Sequence, residues 1–315
     1  GTSTAANTLS GAIVDNSGVN LTALAKTGTG TWDLGGTSTF TGGVTVSDGT
    51  LTVKSGASLA AANDLTLSGG TLNLDHATQT VASLAGSGGT INFGTGHILT
   101  LAQITATSYA GVLAGSGGFT LSGSGGSLTL SGGSANTHAG NTTINEGTLI
   151  LAKTPGTAAI AGGTITVGNG AGTDILRLGA SHQIGNSTNL TLAGGSFQLN
   201  NFSETLAALK LDASSTIDFG STASALVFAD SSAQSWTGTL TIANYTTASG
   251  NSLRFGTTAS GLTSGQLAQI SFTGYGAGVT IDGSGYVSPI PEPGTYAVLA
   301  GLAALALAAR RRRRS

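Results

Sequence analysis

The chain alternates apolar and small polar residues in short runs, which are separated by turns rich in Gly, Ser and Asn. A typical run is the pentapeptide Gly49-Thr50-Leu51-Thr52-Val53. Successive side chains of a β-strand point to opposite faces, so a period of two predicts strands with one buried face. The pattern therefore predicts an all-β fold.

Similar runs recur along the chain and indicate a repeat. They begin at Gly49, Gly70, Gly89, Gly126, Gly147, Gly163, Gly195 and Gly238. The larger gaps between them are close to twice the smaller ones, which indicates a unit of roughly 16 to 23 residues. One such strand cannot bury its apolar face alone, so we expect the units to stack into a parallel β-helix of about 13 turns, with a right-handed coil. A β-sandwich is the alternative, but few Asn-Gly or Asp-Gly hairpin turns are present to build one.

A longer duplication supports stacking. Residues 64–74, DLTLSGGTLNL, match residues 189–199, NLTLAGGSFQL, and shorter matches follow each copy. Spacing and residue type are both kept over more than one unit. We therefore interpret the sequence as pairs of turns that have been copied.

The pattern divides the chain into three predicted regions. Residues 1–235 form the β-helix repeat region. Residues 236–287 contain helix-like spacing at 262–270 and two short strands, at 270–272 and 279–281, and are predicted to cap the open end of the stack. Residues 288–315 form a separate tail.

The tail has three parts in a fixed order. Pro291, Glu292 and Pro293 make a stiff polar hinge, and residues 296–309 form an apolar run. A basic cluster follows it: Arg310, Arg311, Arg312, Arg313 and Arg314. Fourteen helical residues reach roughly 21 Å, against a hydrocarbon core of about 30 Å. The predicted short hydrophobic helix is therefore suited to a transient transmembrane span, with the arginines at the cytoplasmic face.

This order of motifs resembles a PEP-CTERM sorting signal. The resemblance implies recognition by an exosortase-type processing enzyme in the inner membrane of a Gram-negative bacterium. The protein would pass the inner membrane transiently and then reach the cell surface or the extracellular space. A plain C-terminal anchor with a positive-inside stop is the alternative.

A second resemblance covers residues 21–53. The matching segments are Lys26-Thr27-Gly28-Thr29-Gly30, Thr39-Phe40-Thr41-Gly42-Gly43 and Gly49-Thr50-Leu51. This stretch is similar to the autotransporter-associated β-strand repeat, also called the passenger-associated transport repeat. A degenerate copy occupies residues 115–151. The resemblance implies an extracellular β-helix of a bacterial surface protein and no particular ligand.

Composition narrows the possible functions. The chain has 52 Gly, no Cys, no Met and 8% charged residues, whereas soluble domains have about 25% charged residues. The net charge is −2, and five of the 11 basic residues lie in the terminal cluster. The acidic remainder argues against nucleic acid as a partner. Because no Met and no signal peptide are present, we expect the chain to be a fragment or a processed form.

Few residues suggest chemistry. The histidines His76, His97, His138 and His182 are far apart and are expected in turns or at the surface. No cofactor or metal motif is found, and no catalytic residue is assigned. An alternative is a polysaccharide lyase or glycosidase in which stacked turns bring together Asp75, Asp212 or Asp218. The favoured hypothesis is a non-enzymatic structural or adhesive protein that presents a Ser/Thr/Asn-rich face to exopolysaccharide or to like molecules.

Overall fold

The computed structural model describes residues 6–290, which form 28 short strands and very little helix. The strands are β1 (Asn7–Leu9), β2 (Leu24–Lys26), β3 (Thr31–Leu34), β4 (Val44–Val46), β5 (Thr50–Val53), β6 (Asp64–Leu67), β7 (Thr71–Leu74), β8 (Thr78–Val81), β9 (Ser83–Ala85), β10 (Thr90–Phe93), β11 (Ile98–Leu101), β12 (Ala106–Tyr109), β13 (Val112–Gly115), β14 (Gly118–Leu130), β15 (Thr142–Leu151), β16 (Thr164–Val167), β17 (Asp174–Leu178), β18 (Asn189–Ala193), β19 (Ser196–Gln198), β20 (Glu204–Leu206), β21 (Leu209–Ala213), β22 (Ser215–Asp218), β23 (Ala225–Phe228), β24 (Leu240–Ala243), β25 (Ser252–Phe255), β26 (Ile270–Phe272), β27 (Val279–Ile281) and β28 (Tyr286–Pro289). Within these residues the one α-helix, α1, is Ser264–Ala268, and residues 247–249 form a 3-10 turn.

Most strands pair in parallel with the strand one turn further along the coil. The first ladder runs β1-β3-β5-β7-β10-β13. In it Thr31 pairs with Thr50, Thr50 with Thr71 and Thr71 with Thr90, at steps of 19, 21 and 19 residues. The predicted parallel β-helix and its repeat length are therefore confirmed.

Two further ladders belong to one sheet, because β14 and β15 are long enough to turn a corner and contribute to both. The second ladder runs β8-β11-β14-β15-β16-β18-β21, and the third runs β12-β14-β15-β17-β19-β22-β24-β26. A smaller sheet, β2-β4-β6-β9, serves the N-terminal turns. The solenoid has about 11 turns rather than 13, because turns lengthen near its C-terminal end. There Thr241 pairs with Ser271, a step of 30 residues.

The core is a column of apolar side chains that point inward from every turn. In the first ladder Leu51, Leu72 and Ile91 stack directly on one another, and each is at most 1% exposed. Burying such a side chain stabilises the fold by about 1.5–3 kcal/mol. The alternation along each strand thus places apolar side chains above one another in successive turns, and together they form a continuous core along the solenoid axis.

Glycines make the corners between ladders. Gly147 has φ 88°, and a Cβ there would lie 2.7 Å from the carbonyl oxygen of Gly126. Both the backbone angle and the space therefore require glycine at this position.

Buried amide side chains join neighbouring turns at other corners. Asn136, 1% exposed, accepts a hydrogen bond from Leu113 N at 3.0 Å and donates to the Ala159 carbonyl at 2.7 Å. Gln79 likewise binds both the N–H and the carbonyl of Leu59. These bonds satisfy backbone groups that the strand ladders leave free.

The stack ends in a different arrangement. The α1 helix begins with a capping box between Thr263 and Gln266. Strands β27 and β28 form a hairpin, and β28 pairs antiparallel with β25. Within residues 6–290 these are the only antiparallel pairs. The predicted strand 279–281 is β27 of this hairpin, whereas the predicted strand 270–272 is β26 and ends the parallel third ladder.

The predicted tail helix at 296–309 lies outside the described residues. Across residues 6–290, none of the helices has the length and apolar character needed to cross a bilayer.

Candidate functional surface

The most regular polar feature is a column of threonines on the outward side of the second ladder. Consecutive turns place one threonine above the next, in the following order: Thr80, Thr100, Thr120, Thr143, Thr166 and Thr191. We call these six residues the threonine column. The first five are half-buried and Thr191 is 9% exposed. Because paired strands lie about 4.8 Å apart, the column extends over about 24 Å.

The column ends at a charged pair. Thr191 pairs with Lys210 in the next turn. The Lys210 ammonium lies 2.8 Å from the carboxylate of Asp212, and both side chains are about 40% exposed. The regular hydroxyl array therefore stops at β21.

A second polar array covers the first ladder. Thr31, Thr50, Thr71 and Thr90 form one outward row. The adjacent row is Asp33, Thr52, Asn73 and Asn92. In that row Asn92 donates to Asn73 at 3.4 Å, and Asn73 donates to Thr52 at 3.5 Å. Amides bonded along the axis hold this row in register.

One lysine lies between two carboxylates at the edge of the first ladder. The Lys54 ammonium lies 3.8 Å from a carboxylate oxygen of Asp33 and 3.8 Å from one of Asp75. The Lys54 side chain is 48% exposed, so water screens these contacts and each contributes little to stability.

The outward side of the third ladder is mixed. Its rows include Ile150, Ile175 and Arg177, and the Arg177 guanidinium donates to Gln198 at 2.7 Å. Apolar and charged residues interrupt the hydroxyls there. An unbroken hydroxyl column over six turns is therefore a property of one face.

The three aspartates considered as catalytic carboxylates do not meet. Asp75 follows β7 in the first ladder, Asp212 lies in β21 of the second, and Asp218 lies in β22 of the third. Asp218 accepts hydrogen bonds from Gly220 N and from the Asn244 side chain. Stacking therefore separates these residues instead of pairing them. No group of three or more His, Asp or Glu side chains suited to a metal occurs within residues 6–290.

The expectation that all histidines lie in turns or at the surface is wrong for His138. It is fully buried between the rings of Phe93 and Phe119, and burial lowers its pKa to about 4. The N–H groups of Thr137 and His138 donate to the Leu113 carbonyl, as those of Thr39 and Phe40 donate to the Ile13 carbonyl. His138 thus occupies, in the degenerate repeat copy, the core position that Phe40 fills in the first copy.

Two further buried ionisable groups tie turns together. Glu204 accepts hydrogen bonds from Gln183 N and Ile184 N, and burial raises its pKa to about 7. Lys153 donates to the carbonyls of Gly111 and Ser131, and burial lowers its pKa to about 8. Both contact backbone of neighbouring turns, so they act as clamps inside the fold. Sequence reasoning missed them, although Lys153 is in phase with the buried Leu151 of β15 and Glu204 with the buried Leu206 of β20.

The proposed sorting residues cannot be placed geometrically. Pro291, Glu292 and Pro293 lie outside the described residues, as does the arginine cluster at 310–314. Their assignment depends on sequence.

Comparison with known families agrees with the architecture. The model of the passenger-associated-transport-repeat matches residues 24–53 and 112–151. The model of the PEP-CTERM protein-sorting motif matches residues 289–314. No solved structure matches the chain at a significant level.

One curated relative is an autotransporter. An 85-residue stretch is 42% identical to "Adhesin BmaC autotransporter" of Brucella suis biovar 1 (strain 1330). The aligned stretch is 27% of this chain but only 2% of that protein. These similarities support an exported β-helix protein of the cell surface. The chain is thus a parallel β-helix that carries passenger-associated transport repeats and a PEP-CTERM protein-sorting motif.

Proposed function

We propose that the protein is a non-enzymatic surface adhesin whose threonine column binds exopolysaccharide. The observation that carries this proposal is the run of six threonines in consecutive turns, on a face where no apolar side chain interrupts the row. A polysaccharide also presents hydroxyls at regular intervals along an extended chain. The two arrays can exchange hydrogen bonds at many points.

The expected binding is weak at each point and strong only in sum. A hydrogen bond between neutral groups contributes about 0.5–1.5 kcal/mol net, because each partner leaves water. Several contacts along one polymer, and several proteins on one polymer, raise the overall affinity through effective concentration. The name of the Brucella relative, an adhesin, supports the same role. The scattered aspartates give no support to a glycosidase or lyase.

The tail supplies the route to the surface in this proposal. An exosortase-type enzyme would recognise Pro291, Glu292 and Pro293 while the apolar run passes transiently through the inner membrane. The body, residues 1–287, would then be released to the cell surface or the extracellular matrix, with residues 236–287 as the cap. Self-association of like molecules through the same face would strengthen the matrix.

The adhesion proposal is tested by removing hydroxyls without changing shape. In the full chain, Thr100, Thr120, Thr143 and Thr166 are replaced by Val, which is isosteric and favours strands equally. The control replaces Thr45 and Thr66 by Val, since these outward threonines stack on each other but lie between Ala25 and Ala85. Sedimentation with insoluble exopolysaccharide should fall at least several-fold for the column variant and stay unchanged for the control. Equal binding by both variants and the native chain would overturn the proposal.

The sorting proposal is tested by replacing residues 310–314 with Ala and fractionating cells. The native chain should lose its C-terminal peptide and appear outside the cell, whereas the variant should stay uncut. An uncut native chain that remains in the inner membrane would instead favour the plain anchor.

A further inference from the structure

A cleft follows the corner between the second and third ladders, and two carboxylates lie in it. Its first part, about 320 Å³, is lined by successive corner loops that include Ser124, Glu146, Thr148 and Thr173. The next part, about 340 Å³, is lined by Thr173, Asp174, Ser196 and Thr216. The two parts share Gly172 and Thr173. Almost every wall residue is Gly, Ser or Thr, so the walls offer oxygens and little bulk.

Glu146 and Asp174 lie in paired strands of adjacent turns, β15 and β17, one position apart in register. Gly147, the residue after Glu146, pairs directly with Asp174, and its N–H donates to the Thr173 carbonyl at 2.8 Å. Glu146 also lies over the glycine loop, because a Cβ on Gly172 would be 3.0 Å from its Oε1. Two acidic groups are thus held together at one corner.

The buried carboxylate of Asp174 is the observation that points most directly to a bound cation. The residue is only 4% exposed, and its Oδ1 atom is buried without a hydrogen-bond partner. A buried carboxylate oxygen without a partner is costly. The Glu146 carboxylate lies at the same corner, so a second negative charge adds to this cost, and no cationic side chain lines either part of the cleft.

We propose that Glu146 and Asp174, with oxygens of the 168–173 loop, form a calcium site that clamps consecutive turns. Calcium accepts six to eight oxygens in irregular geometry and uses carboxylates, backbone carbonyls and water together. The glycine loop provides backbone close to both carboxylates, with positive φ at Gly168, Gly170 and Gly172. Magnesium fits less well, because it demands octahedral geometry and loses water reluctantly.

Two carboxylates give modest affinity, which suits an exported protein. Extracellular calcium modules have dissociation constants of about 0.1–1 mM, and we expect this range here. Calcium binds the folded chain and should raise its Tm by about 3 °C at 10 mM, following mass action. This inference does not depend on the adhesion proposal, although the cleft borders the threonine column: Glu146 follows Thr143 by three residues in β15.

The test is thermal unfolding and calcium equilibrium dialysis of the full chain, with calcium and with magnesium. Asp174→Asn and Glu146→Gln keep side-chain shape and should each weaken calcium binding about tenfold and clearly reduce the Tm rise at 10 mM calcium. The control is Asp212→Asn, whose exposed carboxylate pairs with Lys210 and should leave calcium binding unchanged.

Folding of the variants is checked without calcium. Asp174→Asn removes a buried charge, so its Tm in chelator should equal or exceed that of the native chain, and loss of the response then cannot be attributed to misfolding. Absence of a calcium-dependent Tm rise in the native chain would overturn the proposal. A rise in both cleft variants equal to that of the native chain would also overturn it.

Discussion

Replacing Asn136 by Ala tests whether buried amides hold the turns of the solenoid together. The Asn136 side chain reaches the turn before it through Leu113 N and the turn after it through the Ala159 carbonyl, 23 residues away in each direction. Alanine leaves one buried donor and one buried acceptor without partners. Each unsatisfied group costs about 1–3 kcal/mol, so we expect a loss of about 3 kcal/mol in the free energy of unfolding.

The assay is urea unfolding followed by far-UV circular dichroism, together with hydrogen exchange at the Leu113 amide. Exchange reports the local effect, because solenoid turns can open without global unfolding. The matched control is Asn92→Ala. Asn92 is exposed and donates a single side-chain hydrogen bond, to Asn73 at 3.4 Å, so its loss should change stability by less than about 0.5 kcal/mol.

A third variant separates shape from hydrogen bonding. Asn136→Asp keeps the acceptor for Leu113 N but places a carboxylate oxygen against the Ala159 carbonyl, so it should destabilise at least as much as Ala. The reasoning is refuted if Asn136→Ala unfolds at the native urea concentration with an unchanged m-value and normal protection at Leu113.

Three other predictions concern single buried positions. Burial raises the Glu204 pKa from 4.5 to about 7, so the folded state binds this proton more tightly than the unfolded state does. The free energy of unfolding should therefore fall by roughly 3 kcal/mol as pH rises from 4.5 to 7. In matched urea titrations, Glu204→Gln should remove this part of the pH dependence. Burial lowers the Lys153 pKa from 10.5 to about 8, so the free energy of unfolding should rise between pH 8 and 10.5. The same pH dependence in Lys153→Met would contradict the assignment of this rise to Lys153. Gly147→Ala should lower the Tm more than Gly125→Ala does. Both glycines have positive φ, but only at Gly147 would an added Cβ contact backbone atoms. Equal Tm losses would show that crowding at this corner is unimportant.

The strands and their stacking could be predicted because both follow from local alternation. All eight Gly-Thr or Gly-Ser runs found in the sequence coincide with strands. The long duplication is also real in structure, since both copies form a strand, a Gly-Gly corner and a second strand, as in β6–β7 and β18–β19. The antiparallel hairpin of β27 and β28 turns at Asp282 and Gly283, one of the few hairpin signals in the chain.

The runs do not mark one fixed place in each turn. Those at Gly49, Gly70 and Gly89 begin strands of the first ladder, whereas the run at Gly163 begins a strand of the second and that at Gly195 one of the third. A glycine with positive φ makes any corner, so the motif identifies a strand start but not its ladder. Register across turns depends on contacts about 20 residues apart, which local patterning does not contain.

The same limit explains which site residues sequence reasoning missed. Asn136, Gln79, Glu204 and Lys153 look like ordinary polar residues in turns, yet each is at most 2% exposed and bonded to another turn. Asp174 begins β17 in phase with the buried Leu176, so the alternation predicts a buried side chain, and the residue lies in the wall of the cleft. A charged residue in phase with the apolar positions of its own strand was the available signal.

The threonine column has a second explanation that needs no ligand, and the control variants distinguish the two. Threonine favours strands because its branched side chain suits a pleated surface, and any exposed strand position can select it for that reason. That explanation applies equally to Thr45 and Thr66, which are outward, stacked and yet bordered by alanine. Val keeps the strand preference and removes only the hydroxyl. A loss of polysaccharide binding confined to the column would therefore assign the six hydroxyls to recognition, whereas unchanged binding would leave them to strand stability alone.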